Sequence, residues 1–254
     1  MLFDSIVYGP IRSRRLGVSL GVNLMPTDAK LCSFDCVYCE CGWNQPVLHP
    51  QLPTRQQVRE ALASNLSPLA SSPQIDVITF SGNGEPTMHP DFLGIIQDTC
   101  ALRDQYCPNA KVSVLSNSTQ LGRPDVLEAL RICDNRILKL DSAVDSTMHL
   151  IDKPVNRQLT VRQIVEWLTA FKGDFTLQTC FLRGEYQGQI IDNTTPQELQ
   201  AWYDMVEYLH PKQVMIYVID RATPLKTLEK IPAEKMELIA APLREKGLDV
   251  IVSV

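Results

Sequence analysis

No stretch of this sequence reaches the roughly 18 uninterrupted apolar residues that a membrane-crossing helix needs, so no membrane association is expected. The opening residues Met1-Leu2-Phe3-Asp4-Ser5 lack a basic segment followed by an apolar run. A signal peptide is therefore not expected, and a reducing cytoplasm is the expected compartment. Basic charge is also scarce: the net charge is −5 and the isoelectric point lies near 5.4. A nucleic-acid binder normally carries a basic footprint. The only compact basic group is Arg12-Ser13-Arg14-Arg15, too short to hold a duplex or a tRNA alone and readable equally as a solvated or salt-bridged turn. The four histidines, His49, His89, His149 and His210, have no metal-like spacing and read as surface or satisfied core residues. No low-complexity segment or linker divides the chain, so one domain over residues 1–254 is expected, long enough to bury a sizeable core.

Cysteine is present without being dense. Eight in 254 residues do not suggest a disulfide scaffold in a chain of this length. Cys100, Cys107, Cys133 and Cys180 are scattered and read as small buried hydrophobes. The exception is Cys32-Ser33-Phe34-Asp35-Cys36-Val37-Tyr38-Cys39, where three thiols fall within eight residues. Thiolates so close in sequence can converge on one soft-metal centre and select iron–sulfur clusters, zinc or copper(I). A closed structural zinc site takes four ligands, usually as two separated pairs, and no fourth partner is evident here. Three cysteines on an iron–sulfur cube leave one iron open, which points to chemistry. Cys41 is the nearest further thiol, a spare or an alternative ligand, with the spare reading favoured.

The rest of the chain alternates strand and helix signals about six times. Strands are expected over Val18–Leu24, Ile75–Phe80, Lys111–Leu115, Arg136–Leu140, Phe175–Phe181 and Gln213–Ile219, with a last strand-like run from Asp249 to Val254. Helices are expected from Thr54 (with Gln57 in a capping box), near Asp91, near Pro124, through Ile164–Phe171, through Leu199–Leu209 and from Ala233, where Pro242 should kink or shorten the last one. Ala143–Gln158 and Arg183–Thr195 read as loops. Such alternation argues for βαβ units with a parallel sheet. The polar groups Ser81-Gly82-Asn83-Gly84-Glu85-Pro86, Ser116-Asn117-Ser118 and Asp141-Ser142 each follow a strand, as active-site residues do in α/β barrels. Each also has a bland reading: Gly-Asn-Gly is more often a turn, Asn117 could cap a turn, Asp141 could cap a helix, and Lys139 could neutralise a neighbouring carboxylate.

Cys32-x-x-x-Cys36-x-x-Cys39, with Tyr38 inside it and Gly84-Glu85-Pro86 one helix and one strand later, resembles the radical S-adenosylmethionine (radical SAM) enzymes. The resemblance runs from the first strand to the sixth. It implies an α/β fold of partial (β/α)6 TIM-like barrel type and a [4Fe–4S] cluster held by Cys32, Cys36 and Cys39. S-Adenosylmethionine would chelate the open iron. Further cofactor contacts are implied at Tyr38, whose backbone would approach the adenine, at Gly82, Asn83, Gly84 and Glu85, and at Ser116, Asn117, Lys139 and Gln178. The turn is Ser-Gly-Asn-Gly-Glu-Pro where the family pattern is Gly-Gly-Glu-Pro. The implied reaction is reductive cleavage of S-adenosylmethionine to methionine and a 5′-deoxyadenosyl radical that takes hydrogen from a substrate. Tyr8-Gly9-Pro10 and Ser13-Arg14-Arg15-Leu16-Gly17, together with Cys36-Val37-Tyr38-Cys39, resemble the wybutosine-synthesis-like Fe–S oxidoreductase subgroup. An external one-electron donor of flavodoxin or ferredoxin type is implied, with a small molecule, peptide or protein as substrate. The alternatives are a tRNA-modifying enzyme, which the acidic balance disfavours, a glycyl-radical activase, and a non-enzymatic iron–sulfur or zinc module needing a fourth ligand such as Cys41.

Overall fold

The β-branched runs become short buried strands, and the amphipathic runs become the helices that cover them. The computed structural model describes residues 2–13, 15–71 and 75–254; Arg14, part of the basic group noted above, and Met1 lie outside them. Two units are distinguished, Met1–Ser33 with Asn44–Arg136 and Phe34–Trp43 with Ile137–Val254.

In the first unit, β1 (Val7–Ser13) and β2 (Gly17–Val22) pair antiparallel. β3 (Val77–Phe80) then joins β2 in parallel and β4 (Lys111–Ser116) joins β3. All four residues of β3 are buried, as a central parallel strand requires. Helix α1 (Arg55–Leu66) begins with the expected capping box between Thr54 and Gln57 and buries Val58, Leu62 and Leu66. α2 (Phe92–Tyr106) buries Phe92, Ile95, Ile96 and Leu102, and α3 (Pro124–Ile132) buries Val126, Ala129 and Leu130. β1 has no counterpart among the expected strands, because only Val7 of it is buried and Gly9-Pro10 interrupts its pattern.

Asp134, just beyond α3, ties this unit together. Its Oδ2 accepts from the Val112 backbone N–H on β4 and from Arg103 on α2, both at 2.8 Å. Burial works to raise this carboxyl, but those donors win and hold it below the ordinary aspartate range. A carboxylate with a lowered native pKa contributes stability above its unfolded value of about 3.9, and that contribution disappears as pH falls through the native value. Asp134→Asn is therefore expected to destabilise the protein by about 1–2 kcal/mol at neutral pH. The gap to wild type should narrow on acidification below pH ~4. Urea unfolding at the two pH values measures this; a gap independent of pH would refute it.

In the second unit, β5 (Asn135–Lys139), β6 (Thr176–Cys180), β9 (Gln213–Tyr217) and β11 (Val250–Ser253) form a parallel array in that order. α5 (Val161–Leu168), α6 (Pro196–Leu209) and α7 (Ala233–Glu245) each bury one apolar face. Trp202 of α6 is fully buried, stacks edge-on against Phe181 and donates its indole N–H to Thr179 Oγ1 at 3.0 Å. Three expectations need correction. Pro242 does not shorten α7 to its own position, since the helix continues to Glu245; placed in the last turn, it removes only the N–H that would have reached Leu238, an exposed residue. The stretch Ala143–Gln158 contains α4 (Asp145–Ile151), whose only buried residues, Met148 and Ile151, are too few to register as a period. The stretch Arg183–Thr195 contains a hairpin of β7 (Leu182–Tyr186) and β8 (Gln189–Asp192), joined antiparallel to β10 (Glu229–Lys230). Its turn, Gln187-Gly188, has positive φ at both residues, 51° and 77°, the conformation of the tightest hairpins. Glutamine in place of the usual asparagine hid it.

Candidate cofactor site

The glycine turn after β3 belongs to the first unit. The cysteine loop enters beside it: Leu31 N–H donates to the Asn83 carbonyl at 2.9 Å, and Glu85 N–H donates to the Leu31 carbonyl at 3.2 Å. Leu31 and Gly84 thus form an isolated parallel bridge one residue before Cys32. Gly84 has φ +153°, and a Cβ there would lie 1.7 Å from the Leu31 carbonyl oxygen. Gly82 has φ +147°, and its Cβ would fall 2.5 Å from Asn23 Oδ1. Both glycines are required by backbone conformation and by close approach.

The other two expected residues of the turn look inward. Asn83 is fully buried; its carboxamide accepts from Phe3 N–H and donates to the Phe3 and Pro26 carbonyls, each at 2.8 Å. Asn23, at the end of β2, accepts from Asn83 N–H at 3.0 Å. Glu85, 2% exposed, accepts from Thr87 N–H at 3.1 Å and Oγ1 at 2.5 Å and from Asn117 N–H at 2.6 Å. Burial raises its carboxyl above the ordinary glutamate range, with these donors opposing. The side chains of Asn83 and Glu85 therefore shape the turn from the inside. Ser116 accepts from Ser118 N–H. Asn117 caps a turn through Oδ1, which accepts from Thr119, and its Nδ2 lies 2.9 Å from Ser33 Oγ and 3.5 Å from Cys32 Sγ.

The second unit holds Cys36 and Cys39 and the charged end of its parallel strands. Lys139, Gln178 and Met215 share one register row, with Cys180 and Tyr217 paired two rows further on. Gln178 donates to Met215 Sδ at 3.8 Å, two rows short of the ends of β6 and β9. Lys139 Nζ lies 2.9 Å from Asp152 Oδ1, 3.2 Å from Asp141 Oδ2 and 3.1 Å from Cys36 Sγ. Burial alone would lower the ammonium, but Asp141, Asp152 and Cys36 override it and it titrates well above an ordinary lysine. Burial pushes the Asp152 carboxyl up, against the pull of Lys139. Tyr38 is buried and donates its hydroxyl to Asp141; burial, then Asp141, raises it well above the ordinary tyrosine value. Asp141 accepts in addition from Cys180 N–H at 2.8 Å, so it is not a helix cap. Asn23, Leu31 and Asp152 are not singled out from the sequence. Asn23 falls inside the expected strand Val18–Leu24, whereas β2 ends at Val22, so its place after a strand end is hidden.

Within neither unit do three His, Cys, Asp or Glu side chains close into a metal-binding set among the described residues, so the cysteine trio rests on its spacing. The donor set nevertheless suits an iron–sulfur cluster. All three thiols are free of disulfides, and hydrogen-bond donors are aimed at the sulfurs of Cys32 and Cys36, an environment that favours thiolate. Cys41 is half-buried; of the four scattered cysteines expected to be buried, Cys107, Cys133 and Cys180 are, whereas Cys100 is only half-buried. Burial raises the Cys133 thiol out of the reactive range, as expected for packing residues.

The sequence model of the Radical SAM superfamily matches residues 29–190, a span that includes every cysteine of the motif. The chain belongs to the radical SAM superfamily. Residues 29–190 thus carry the domain of the radical SAM enzymes. A UPF0026 protein of Synechocystis sp. is 30% identical over 228 residues, covering 87% of this chain and 77% of the relative, and the chain shares that family. A protein named GTPase Obg from Brachyspira hyodysenteriae is 29% identical over 235 residues, 91% of this chain but 32% of the relative; the chain spans about a third of that protein's length. Among solved structures, TYW1 with a lysine–pyruvate adduct bound has a TM-score of 0.65 at 15% identity, covering 89% of this chain and 73% of TYW1. SuiB of Streptococcus suis, bound to S-adenosylmethionine, has a TM-score of 0.62 at 11% identity, covering 88% of this chain and 48% of SuiB. These likenesses show the fold class that the sequence implied, the α/β fold of radical SAM enzymes. No helix among the described residues is long and apolar enough to cross a membrane.

Proposed function

We propose that the chain is one radical SAM core domain in which Cys32, Cys36 and Cys39 hold a [4Fe–4S] cluster and the turn from Gly82 to Glu85 receives the methionine end of S-adenosylmethionine. The observation that carries this reading is the stitch at Leu31, which sets the residue before Cys32 directly on the glycine turn. The chemistry that the bound cofactors supply is one-electron cleavage of the sulfonium S–C5′ bond, giving methionine and the radical that takes a hydrogen atom from substrate.

This chain's residues then have separable tasks. Gly82 and Gly84 let the backbone of the turn approach the ammonium group of the ligand closely. Glu85 fixes Asn117 by accepting its N–H, and so places Ser116 and Asn117 at the end of β4 for ribose or carboxylate contact. Tyr38 presents its backbone to the adenine while its side chain is anchored on Asp141. Lys139 adds positive charge next to the cofactor, and Gln178 lines the row beside it. An external flavodoxin- or ferredoxin-like protein would supply the electron. The acidic net charge of −5 supports a substrate other than nucleic acid, that is, a small molecule, peptide or protein.

The test is anaerobic reconstitution of the chain with iron and sulfide, reduction, and addition of S-adenosylmethionine. The expected results are a cluster EPR signal that changes on adding the cofactor and 5′-deoxyadenosine detected by chromatography. Tightly bound zinc, or a cluster whose signal ignores the cofactor, would overturn the proposal in favour of a metal-binding scaffold.

A further inference from the structure

We propose that Lys139 sets the reduction potential of the cluster by donating a charge-assisted N–H···S hydrogen bond to Cys36. This rests on the reading of Cys36 as a cluster ligand, and it gives the cation a role toward the iron centre separate from any contact with S-adenosylmethionine.

The geometry of the pair is held from both sides. On the lysine side, Asp152 and Asp141 grip the ammonium at 2.9 and 3.2 Å. The Tyr38 and Phe34 rings face it with centroids at 4.8 and 5.4 Å. On the cysteine side, the flanking backbone is tied to the end of α4: Asp35 N–H donates to the Asp152 carbonyl at 2.8 Å, and Val37 N–H to the Ile151 carbonyl at 2.9 Å. Cys36 lies between these two bonds, so its sulfur stays 3.1 Å from Nζ. Asp152 closes the triangle, with Oδ1 3.3 Å from the same sulfur.

The lysine side chain is 12% exposed and that of Asp152 2%, so water screens these charges weakly. Hydrogen bonds to the sulfurs and local charge are among the main controls on an iron–sulfur potential. An added electron makes the cluster more negative, so a cation on a ligand sulfur favours reduction. A carboxylate beside the same sulfur opposes it. Lys139 and Asp152 should therefore shift the potential in opposite directions, a signature that a purely structural ion pair would not produce.

The experiment is a redox-poised EPR titration of the reconstituted chain without S-adenosylmethionine, with iron and sulfide quantified, for wild type, Lys139→Gln and Asp152→Asn. The Lys139→Gln cluster is expected to be harder to reduce, with the equilibrium constant lowered at least tenfold, or about 59 mV for one electron. The Asp152→Asn cluster should be easier to reduce. A Lys139→Gln potential equal to wild type overturns the inference. If Lys139→Gln fails to hold a cluster, Asp152→Asn decides: easier reduction supports the inference, and no change overturns it. A wild-type chain that takes up no [4Fe–4S] cluster overturns both this inference and the proposed function; a normal wild-type cluster with unshifted variants overturns this inference alone.

Discussion

Gly84→Ala is expected to unfold the junction between the cysteine loop and the glycine turn and to abolish the response to S-adenosylmethionine. The new Cβ would stand 1.7 Å from the Leu31 carbonyl oxygen and 2.5 Å from its carbonyl carbon. These are backbone atoms with no rotamer to swing aside. The φ of +153° adds a conformation that alanine strongly resists. Relief requires moving Leu31, which breaks its bonds to Asn83 and Glu85 and displaces Cys32, the next residue. We expect a loss of about 3 kcal/mol or more in stability and no cofactor-induced change in the cluster signal. Gly42→Ala is the control: its φ is +86°, but nothing lies within 4 Å of the added carbon. It should cost about 1 kcal/mol from backbone strain alone. Urea unfolding and EPR with added cofactor read both effects. A Gly84→Ala protein with wild-type unfolding and a normal cofactor response would show that the stitch is dispensable.

Cys36→Ala should leave a folded protein without catalysis. Replacing a small buried thiol by a methyl group costs little packing, about 1 kcal/mol, and the loop remains pinned through Asp35 and Val37. The chemical loss is complete, because the cluster has no third thiolate in the motif and Lys139 loses its sulfur acceptor. Iron per chain should fall and 5′-deoxyadenosine should drop below detection. Cys41→Ala should keep both, since Cys41 stands outside the motif. Equal loss in the two variants would make Cys41 a ligand and return the chain to the four-ligand scaffold reading.

Local pattern was sufficient wherever a residue's partner is close in sequence or its partner is simply the core. Thr54 and Gln57 cap α1 from three residues apart. Val58, Leu62 and Leu66 face inward at helical spacing, and the strand β3 is apolar because both of its faces are covered. The site was legible to the same depth: the three cysteines, Tyr38 and the glycine turn can be picked out because their spacing and their order after strands are properties of the chain itself. What went unseen was short or exposed. β1, α4 and the β7–β8 hairpin each bury too few side chains to imprint a period.

Alternating strands and helices of an α/β chain, a soft-ligand motif and a glycine turn are all readable from the order of residues. These features depend on residue type and on spacing over a few residues, and side-chain chemistry and backbone sterics act at that range. The direction in which the polar groups face emerges from the folded chain alone. Asn83 and Glu85, read as ligand contacts, turn inward to Phe3, Pro26, Thr87 and Asn117. Asp141, readable as a helix cap, takes the Tyr38 hydroxyl. Asp152, in a stretch that looked like loop, meets Lys139 and Cys36. A buried polar group must find a partner or bear its full desolvation cost. That partner can stand more than a hundred residues away, as Asp152 does from Cys36, and no local pattern in the chain records it.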